Sequence, residues 1–126
     1  MARTILVIGG TRFFGKKLVR RLIENGARVT VASRNLSKLD FGSSVEAHSI
    51  EREDFSSLKK ALGHREFDLI YDQICYSPSA AHDLCRLFET RTKQVIFTSS
   101  QSIYLSNDLQ TESDFNATKY EIRLGR

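Results

Sequence analysis

The sequence has 126 residues, of which 40% are hydrophobic and 27% charged, and its formal net charge at pH 7 is +4. This length accommodates one domain with a single core, and the composition is that of a globular protein, not of a disordered or fibrous one. No apolar stretch reaches the ~20 residues that span a bilayer, and no signal-peptide pattern precedes the first predicted strand. We therefore expect no membrane association and a cytoplasmic location.

Cysteine content and charge exclude some classes of site and leave others open. Two cysteines, Cys75 and Cys85, are too few for a disulfide framework, and both are expected to be reduced in or beside the core. His82 precedes Cys85 on a predicted helix, but two ligands without a second pair do not make a metal site, so no metal is expected. The positive charge would suit a nucleic acid, although basic residues beside a phosphate site would explain it equally well.

Strand and helix patterns alternate along the chain. An apolar run at residues 5–8 leads through a glycine turn into a helical pattern at residues 13–25. Asp54 is expected to start the second long helix, Gly63 to end it and Pro78 to begin the third. Further strands are predicted at residues 27–32, 45–50, 67–71 and 93–98, and further helices at Phe55–Leu62 and 78–88. A short helical turn is predicted at residues 36–39, and the beginning of a helix at about residues 116–124.

This alternation predicts an α/β fold. We expect a Rossmann-like, doubly wound parallel sheet of about five strands in a three-layer α/β/α arrangement, with residues 1–126 forming one nucleotide-binding domain. In such sheets, ligands bind beyond the carboxyl ends of the strands, near the switch in strand order. The segments that follow the predicted strands are residues 9–15, 33–34, 51–54, 72–76 and 99–104.

Residues 9–15 predict a dinucleotide-binding turn. Glycine lets the backbone pass close to a pyrophosphate, and the amides at the start of a helix favour negative charge. In the GxGxxG spacing, Gly10 and Gly15 fill the first and third places, whereas Arg12 stands in the second. The arginine either binds a phosphate through its planar fork or is a solvated surface group. The alternative to nucleotide binding is a turn that keeps its glycines for packing alone.

The end of the second predicted strand bears on the choice of dinucleotide. An NAD site usually has an acidic side chain there, about 20 residues beyond the glycines, to hold the ribose hydroxyls. This sequence instead has Ser33 and Arg34, which can bind a 2′-phosphate that a carboxylate would repel. NADP is therefore predicted over NAD, with Arg12 near enough to assist. The alternative is that Arg34 only begins a polar loop.

The sequence resembles the extended short-chain dehydrogenase/reductases, and among them the NAD-dependent epimerase/dehydratase group. GGTRFFG, at residues 9–15, is similar to the group's GGTGFIG, and IFTSSQSIY is similar to its strand that ends in Ser-Ser before a tyrosine. The resemblance implies that Glu51 stands where an aspartate contacts the adenine and that Ser100 stands at the catalytic serine's position. Together with the second-strand residues, the expected cofactor-binding residues are Gly9, Gly10, Thr11, Arg12, Phe13, Phe14, Gly15, Ser33, Arg34, Glu51, Ser99 and Lys119.

The resemblance is incomplete at the tyrosine–lysine pair that transfers protons in this family. FNATKYE is similar to that motif, and the resemblance implies that Lys119 holds the nicotinamide ribose. Phe115 stands in the tyrosine's place and has no hydroxyl to transfer a proton. Tyr120 is a poor substitute, because on a helix it lies about 100° away from Lys119. The expected catalytic residues are therefore Ser100 and Lys119, the alternative for the lysine being a solvated helix residue.

Two classes of function follow from these features, and a third possibility is a truncated domain that folds but binds nothing well because the substrate half is absent. In the first, which we favour, the chain is the N-terminal part of a longer NADP- or NAD-dependent epimerase/dehydratase-like oxidoreductase that acts on a small, nucleotide-sugar-like substrate. Ser100 would orient a substrate oxygen, and another group would supply the proton.

In the second class, the chain is a non-catalytic dinucleotide-binding regulator or an RNA-associated protein, as some degenerate members of the family are. The sequence lacks aromatic residues interleaved with basic ones, so a nucleic-acid partner is not expected. Apolar surface left by an incomplete sheet would favour a homo-oligomer.

Overall fold

The computed structural model describes residues 2–99 together with Thr111, Ser113 and Thr118. Strands and helices alternate through these residues, except that only a 3₁₀ turn stands between the second and third strands. In chain order they are β1 (Thr4–Ile8), α1 (Phe13–Glu24), β2 (Arg28–Ser33), a 3₁₀ turn (Gly42–Ser44), β3 (Val45–Ser49), α2 (Phe55–Leu62), β4 (Leu69–Asp72), α3 (Pro78–Phe88) and β5 (Val95–Phe97).

Two predicted helical segments have different outcomes. Residues 36–39, where the sequence predicts a short helical turn, form a single turn in which the amide of Leu39 donates to the carbonyl of Leu36 at 3.0 Å. One hydrogen bond fixes too few residues to propagate a helix, so the segment remains a loop. The helix expected at about residues 116–124 lies outside the described residues.

The five strands form one parallel sheet in the order β3-β2-β1-β4-β5. The chain builds outward from β1 to β3 and then returns to the other side of β1 for β4 and β5. The switch in strand order therefore lies between β1 and β4. This is the predicted Rossmann-like, doubly wound arrangement, and the prediction is confirmed.

The apolar run of β1 supplies both cores of the molecule. Leu6 and Ile8 pack in the cluster that contains the apolar side chains of α2 and α3, whereas Ile5 and Val7 pack with Val19 of α1. Successive side chains of a strand point to opposite faces, so a continuous apolar run serves a sheet that is covered on both sides.

Two of the three helices begin at a capping side chain, and the third does not. The side chain of Asp54 accepts a hydrogen bond from the amide of Ser56 and caps α2, and Ser77 caps α3 in the same way, with Pro78 in its first turn. Helix α1 begins after Arg12, whose side chain makes no capping bond. The predicted roles of Asp54 and Pro78 are confirmed, and the first amides of α1 remain available to another acceptor.

Other sequence-based expectations concern membranes, metals and thiols. In the part of the chain that the structure describes, no helix is long and apolar enough to cross a membrane, and no three His, Cys, Asp or Glu side chains are grouped to hold a metal ion.

Both cysteines are free. Cys75 is half-buried, and burial raises the pKa of its thiol. Cys85 was expected in or beside the core but is exposed, because it lies on the solvent side of α3.

An acidic residue on the outermost strand β3 ties the α2–β4 segment to the sheet. Nη2 of Arg65 donates to Oε2 of Glu46 at 2.8 Å, Nη1 of Arg65 pairs with Oε1, and Nε2 of His48 lies 2.9 Å from Oε1. The hydrogen bond with Arg65 is the larger cause, and that with His48 the smaller, of a pKa of Glu46 that is lowered from 4.5 to about 2. The carboxylate is thus stabilised by folding.

We expect Glu46→Gln to lower the free energy of unfolding at about pH 7 by less than ~1 kcal/mol, because half of the side chain is exposed and solvent screens the pair. Since folding depresses the pKa of Glu46, its stabilisation is present above pH 4.5 and is lost as the pH falls towards 2. Urea unfolding at about pH 7 and about pH 3 measures the difference between variant and parent, which should shrink at the lower pH.

The exposed Glu66, in the same segment as Arg65, supplies the control variant Glu66→Gln, which should leave the stability unchanged at both pH values. A Glu46→Gln effect of equal size at both would contradict the assigned role of its carboxylate.

Candidate functional site

A cleft of about 350 Å³ lies at the carboxyl ends of four neighbouring strands. It occupies the position where doubly wound sheets bind ligands, beside the switch in strand order. Each of β1 to β4 contributes residues that follow it. The cleft is lined by Gly9, Thr11, Arg12, Ser33, Arg34, Asn35, Ile50, Glu51, Arg52, Glu53, Ile74 and Tyr76.

The turn after β1 depends on Gly9. Its φ of +88° lies in the left-handed region, which side chains with a Cβ rarely adopt. A Cβ at this position would also lie 2.9 Å from Cγ2 of Ile74. The amide of Gly9 donates to the carbonyl of Ala32 at 2.8 Å, so the turn is fixed against the end of β2.

Gly15 lets α1 begin directly against this turn. A Cβ on Gly15 would overlap the carbonyl oxygen of Gly9 and would lie 2.9 Å from Cα of Gly10. Because both contacts are with backbone, a larger residue could be accommodated only by moving the helix away from the strand. Gly15 therefore has the packing role that the third glycine of a dinucleotide-binding turn requires.

The start of α1 is suited to an anion. Arg12 is extended, and its carbonyl accepts the amide of Lys16 at 2.7 Å. The amides of residues 13–15 have no carbonyl partner within the helix, and the first turn of α1 contains no acidic residue. Such a helix start, with its dipole, favours a phosphate group. The residues present therefore fit a pyrophosphate at this turn.

Two exposed arginines line the same cleft. Arg12 comes from the turn after β1 and Arg34 from the end of β2. Between these strands, the hydroxyls of Thr11 and Ser33 lie 3.2 Å apart and are buried. The carbonyl of Arg34 accepts a hydrogen bond from Ser49 at 3.3 Å, which fixes the backbone beyond β2. Because Arg12 and Arg34 line one cleft, both guanidinium groups can act on one ligand.

The wall at the end of β3 is acidic. The amide of Glu51 donates to Oγ of Ser57 at 2.8 Å, which positions the exposed carboxylate beside the cleft. Glu53 accepts a hydrogen bond from Ser77, the residue that caps α3, at 3.3 Å. The cleft thus has basic groups on the side of β1 and β2 and acidic groups on the side of β3. A ligand with anionic phosphates and an amine donor would match both sides.

The predicted site residues divide into three groups. Lining the cleft are Gly9, Thr11, Arg12, Ser33, Arg34 and Glu51. Within the described residues, five others do not line it: Gly10 and Gly15 pack between the turn and α1, Phe13 and Phe14 are exposed on α1, and Ser99 is exposed beyond β5. Ser100, Phe115 and Lys119 lie outside the described residues, so their roles stay predictions.

A buried ion pair beneath the cleft was missed in the sequence. Nε and Nη2 of Arg52 donate to Oδ2 of Asp72 at 3.1 and 2.6 Å, and Nη2 also donates to the carbonyl of Ala80 at 2.9 Å. The sequence predicts that residues 51–54 lie at the ligand-binding edge, with Glu51 at the adenine and Asp54 at the start of a helix, but no role is predicted for Arg52. The available signal was that opposite charges end two strands whose carboxyl ends meet at one edge of a parallel sheet.

An exposed aromatic and basic surface at the start of α1 corrects a further expectation. The rings of Phe13 and Phe14 are 64% and 75% exposed and meet edge to face, with centroids 5.1 Å apart. Nζ of Lys17 lies 4.2 Å from the centroid of Phe13, and Arg12 precedes the pair. The sequence was interpreted as lacking aromatic residues interleaved with basic ones. Helical geometry instead brings residues 13 and 17 together on one face.

The chain is similar to known proteins in its sequence and in its fold. The chloroplast stem-loop binding protein of 41 kDa b from Arabidopsis thaliana is 30% identical in an alignment of 122 residues that covers 85% of this chain and 32% of that protein. The chain thus spans about a third of the length of this curated relative.

Solved structures show the shared fold. A UDP-galactose 4-epimerase is 21% identical, with a TM-score of 0.72 over 89% of this chain and 44% of that one. Epimerase Mth375 from Methanothermobacter thermautotrophicus is 15% identical, with a TM-score of 0.76 over 92% of this chain and 41% of that one.

The model of the NAD dependent epimerase/dehydratase family matches residues 5–83, which is more than half of the chain. The chain therefore belongs to the NAD dependent epimerase/dehydratase family.

Proposed function

We propose that this chain is the nucleotide-binding part of an NADP- or NAD-dependent oxidoreductase of epimerase/dehydratase type. The observation that carries the proposal is the convergence of three features on one cleft: a glycine turn, an uncapped helix start and two exposed arginines. Family membership supports a dinucleotide as the ligand.

Each part of the dinucleotide has a partner in this proposal. The amides of residues 13–15 bind the pyrophosphate, and Arg12 adds a guanidinium to it. Ser33 and Arg34 bind a 2′-phosphate, because no carboxylate stands at the end of β2 to repel one. Glu51 accepts a hydrogen bond from the adenine amine. NADP is accordingly favoured over NAD.

Catalysis is assigned to residues beyond the described part of the chain. When bound, the nicotinamide supplies hydride transfer. Ser100 orients a substrate oxygen, Lys119 holds the nicotinamide ribose, and a group other than Phe115 moves the proton. A small, nucleotide-sugar-like substrate is in keeping with the similar structure that is named for UDP-galactose.

We expect Arg34→Ala to weaken NADP binding by ~10-fold to ~100-fold, because a charge-assisted hydrogen bond contributes about 1.5–3 kcal/mol. NAD has no 2′-phosphate, so its affinity should be nearly unchanged. Calorimetric titration of parent and variant with both dinucleotides measures this.

Arg28→Ala is the matched control for this experiment, because it removes the same charge at the opposite end of the same strand. It should leave both affinities unchanged. Equal weakening of NADP and NAD by Arg34→Ala would contradict the specificity assigned to Arg34.

A second candidate function is RNA binding, favoured by the aromatic and basic surface at the start of α1. Exposed rings beside cations are the platforms on which unpaired bases stack. Phe13, Phe14 and Lys17 provide this combination, and the relative from Arabidopsis thaliana is named as a stem-loop binding protein. In this alternative, the chain acts as a non-catalytic RNA-associated protein.

If RNA binds this surface, a double substitution of Phe13→Ser and Phe14→Ser should weaken its affinity at least ~10-fold, since each stacked base contributes about 1–3 kcal/mol. Fluorescence anisotropy with a labelled stem-loop RNA that has an unpaired loop measures the affinity. Ile96→Ser, which changes an exposed apolar residue of β5, is the control. Absence of RNA binding by the parent, or equal affinities for parent and double variant, would remove this candidate.

A further inference from the structure

Arg52 has a nitrogen for which the described residues provide no acceptor. Nε and Nη2 of its guanidinium are bound to Asp72 and to the carbonyl of Ala80, but Nη1 has no hydrogen-bond partner in the part of the chain that the structure describes. Within residues 2–99, Nη1 is the buried side-chain nitrogen or oxygen that is left unpaired. The side chain is only 4% exposed, so bulk water does not satisfy it freely.

Stability alone does not account for this arrangement. Leaving a buried donor unpaired costs about 1–3 kcal/mol, and more when the group is charged. Buried ion pairs can often be replaced by apolar residues without loss of stability. A pair that fixes two nitrogens and leaves the third unsatisfied is better explained by an acceptor that arrives with a ligand.

Arg52 lies between its protein partners and the cleft. Asp72, which is completely buried at the end of β4, and Ala80 in α3 hold the guanidinium from the protein side. Arg52 itself lines the cleft, between the acidic residues Glu51 and Glu53. A ligand bound in the cleft is therefore the acceptor that we infer for Nη1.

We propose that Arg52 is a binding residue for the dinucleotide and that Nη1 donates a hydrogen bond to one of its oxygen or ring-nitrogen acceptors. This inference rests on the proposed function. Asp72 is a positioning residue, because it orients the guanidinium and neutralises its charge. Arg52 thus provides a directional donor, whereas the exposed Arg12 and Arg34 also attract phosphate by charge.

Arg52→Lys tests this role, because lysine keeps a positive charge beside Asp72 but has no Nη1. We expect a folded protein, checked by circular dichroism and thermal unfolding, whose affinity for NADP is ~10-fold lower. The loss should persist at ~1 M salt, since a buried neutralised pair is little screened, whereas the loss caused by Arg34→Ala should shrink. Unchanged NADP affinity in folded Arg52→Lys would overturn the inference.

A second measurement needs no substitution. Guanidinium signals in a ¹⁵N-resolved NMR spectrum distinguish Arg52 from the exposed arginines, because burial protects its protons from exchange with solvent. Saturating NADP should shift these signals. Unmoved signals while NADP binds would overturn this inference and leave the proposed function intact. Failure of the parent chain to bind either dinucleotide would overturn both.

Discussion

The approach of α1 to the end of β1 determines the geometry of the whole cleft. Gly15 lies so close to the carbonyl oxygen of Gly9 that a single methyl group would force the helix away from the sheet. This contact aims the uncapped amides of α1 at the space above the carboxyl ends of the strands. It also fixes the backbone of Arg12 between β1 and α1. The remaining strands add their ends around a turn that this packing has already placed.

Charge is distributed around this turn in two ways. Arg12 and Arg34 are exposed, so they can attract an anion from solution and also bind it. Arg52 is buried and paired with Asp72, so the carboxylate compensates its charge. What Arg52 can offer a ligand is a hydrogen-bond donor in a fixed orientation. The same buried pair joins the β3–α2 segment to β4 and α3. In the proposed site, the exposed arginines therefore attract the phosphate groups, and the buried arginine orients the ligand.

Much of this fold could be predicted because local patterns and the global arrangement agree. The apolar run of β1, the capping residue Asp54 and Pro78 are local signals, and each of them has the predicted structural role. The Arg52–Asp72 pair could not be predicted in this way, because it depends on which strands become neighbours. Likewise, the exposure of Phe13 and Phe14 depends on how α1 packs against the sheet, and the composition of the chain does not reveal this packing.

The most direct test of this account is a titration of the ¹⁵N-labelled chain with NADP, followed through the backbone amide signals. We expect the largest shifts at residues 9–15 and 33–35, where the glycine turn and the end of β2 meet the cleft. Signals at the amino ends of the strands should remain unchanged. Absence of shifts, or shifts confined to surfaces away from the carboxyl ends of the strands, would contradict the assignment of this cleft to a dinucleotide.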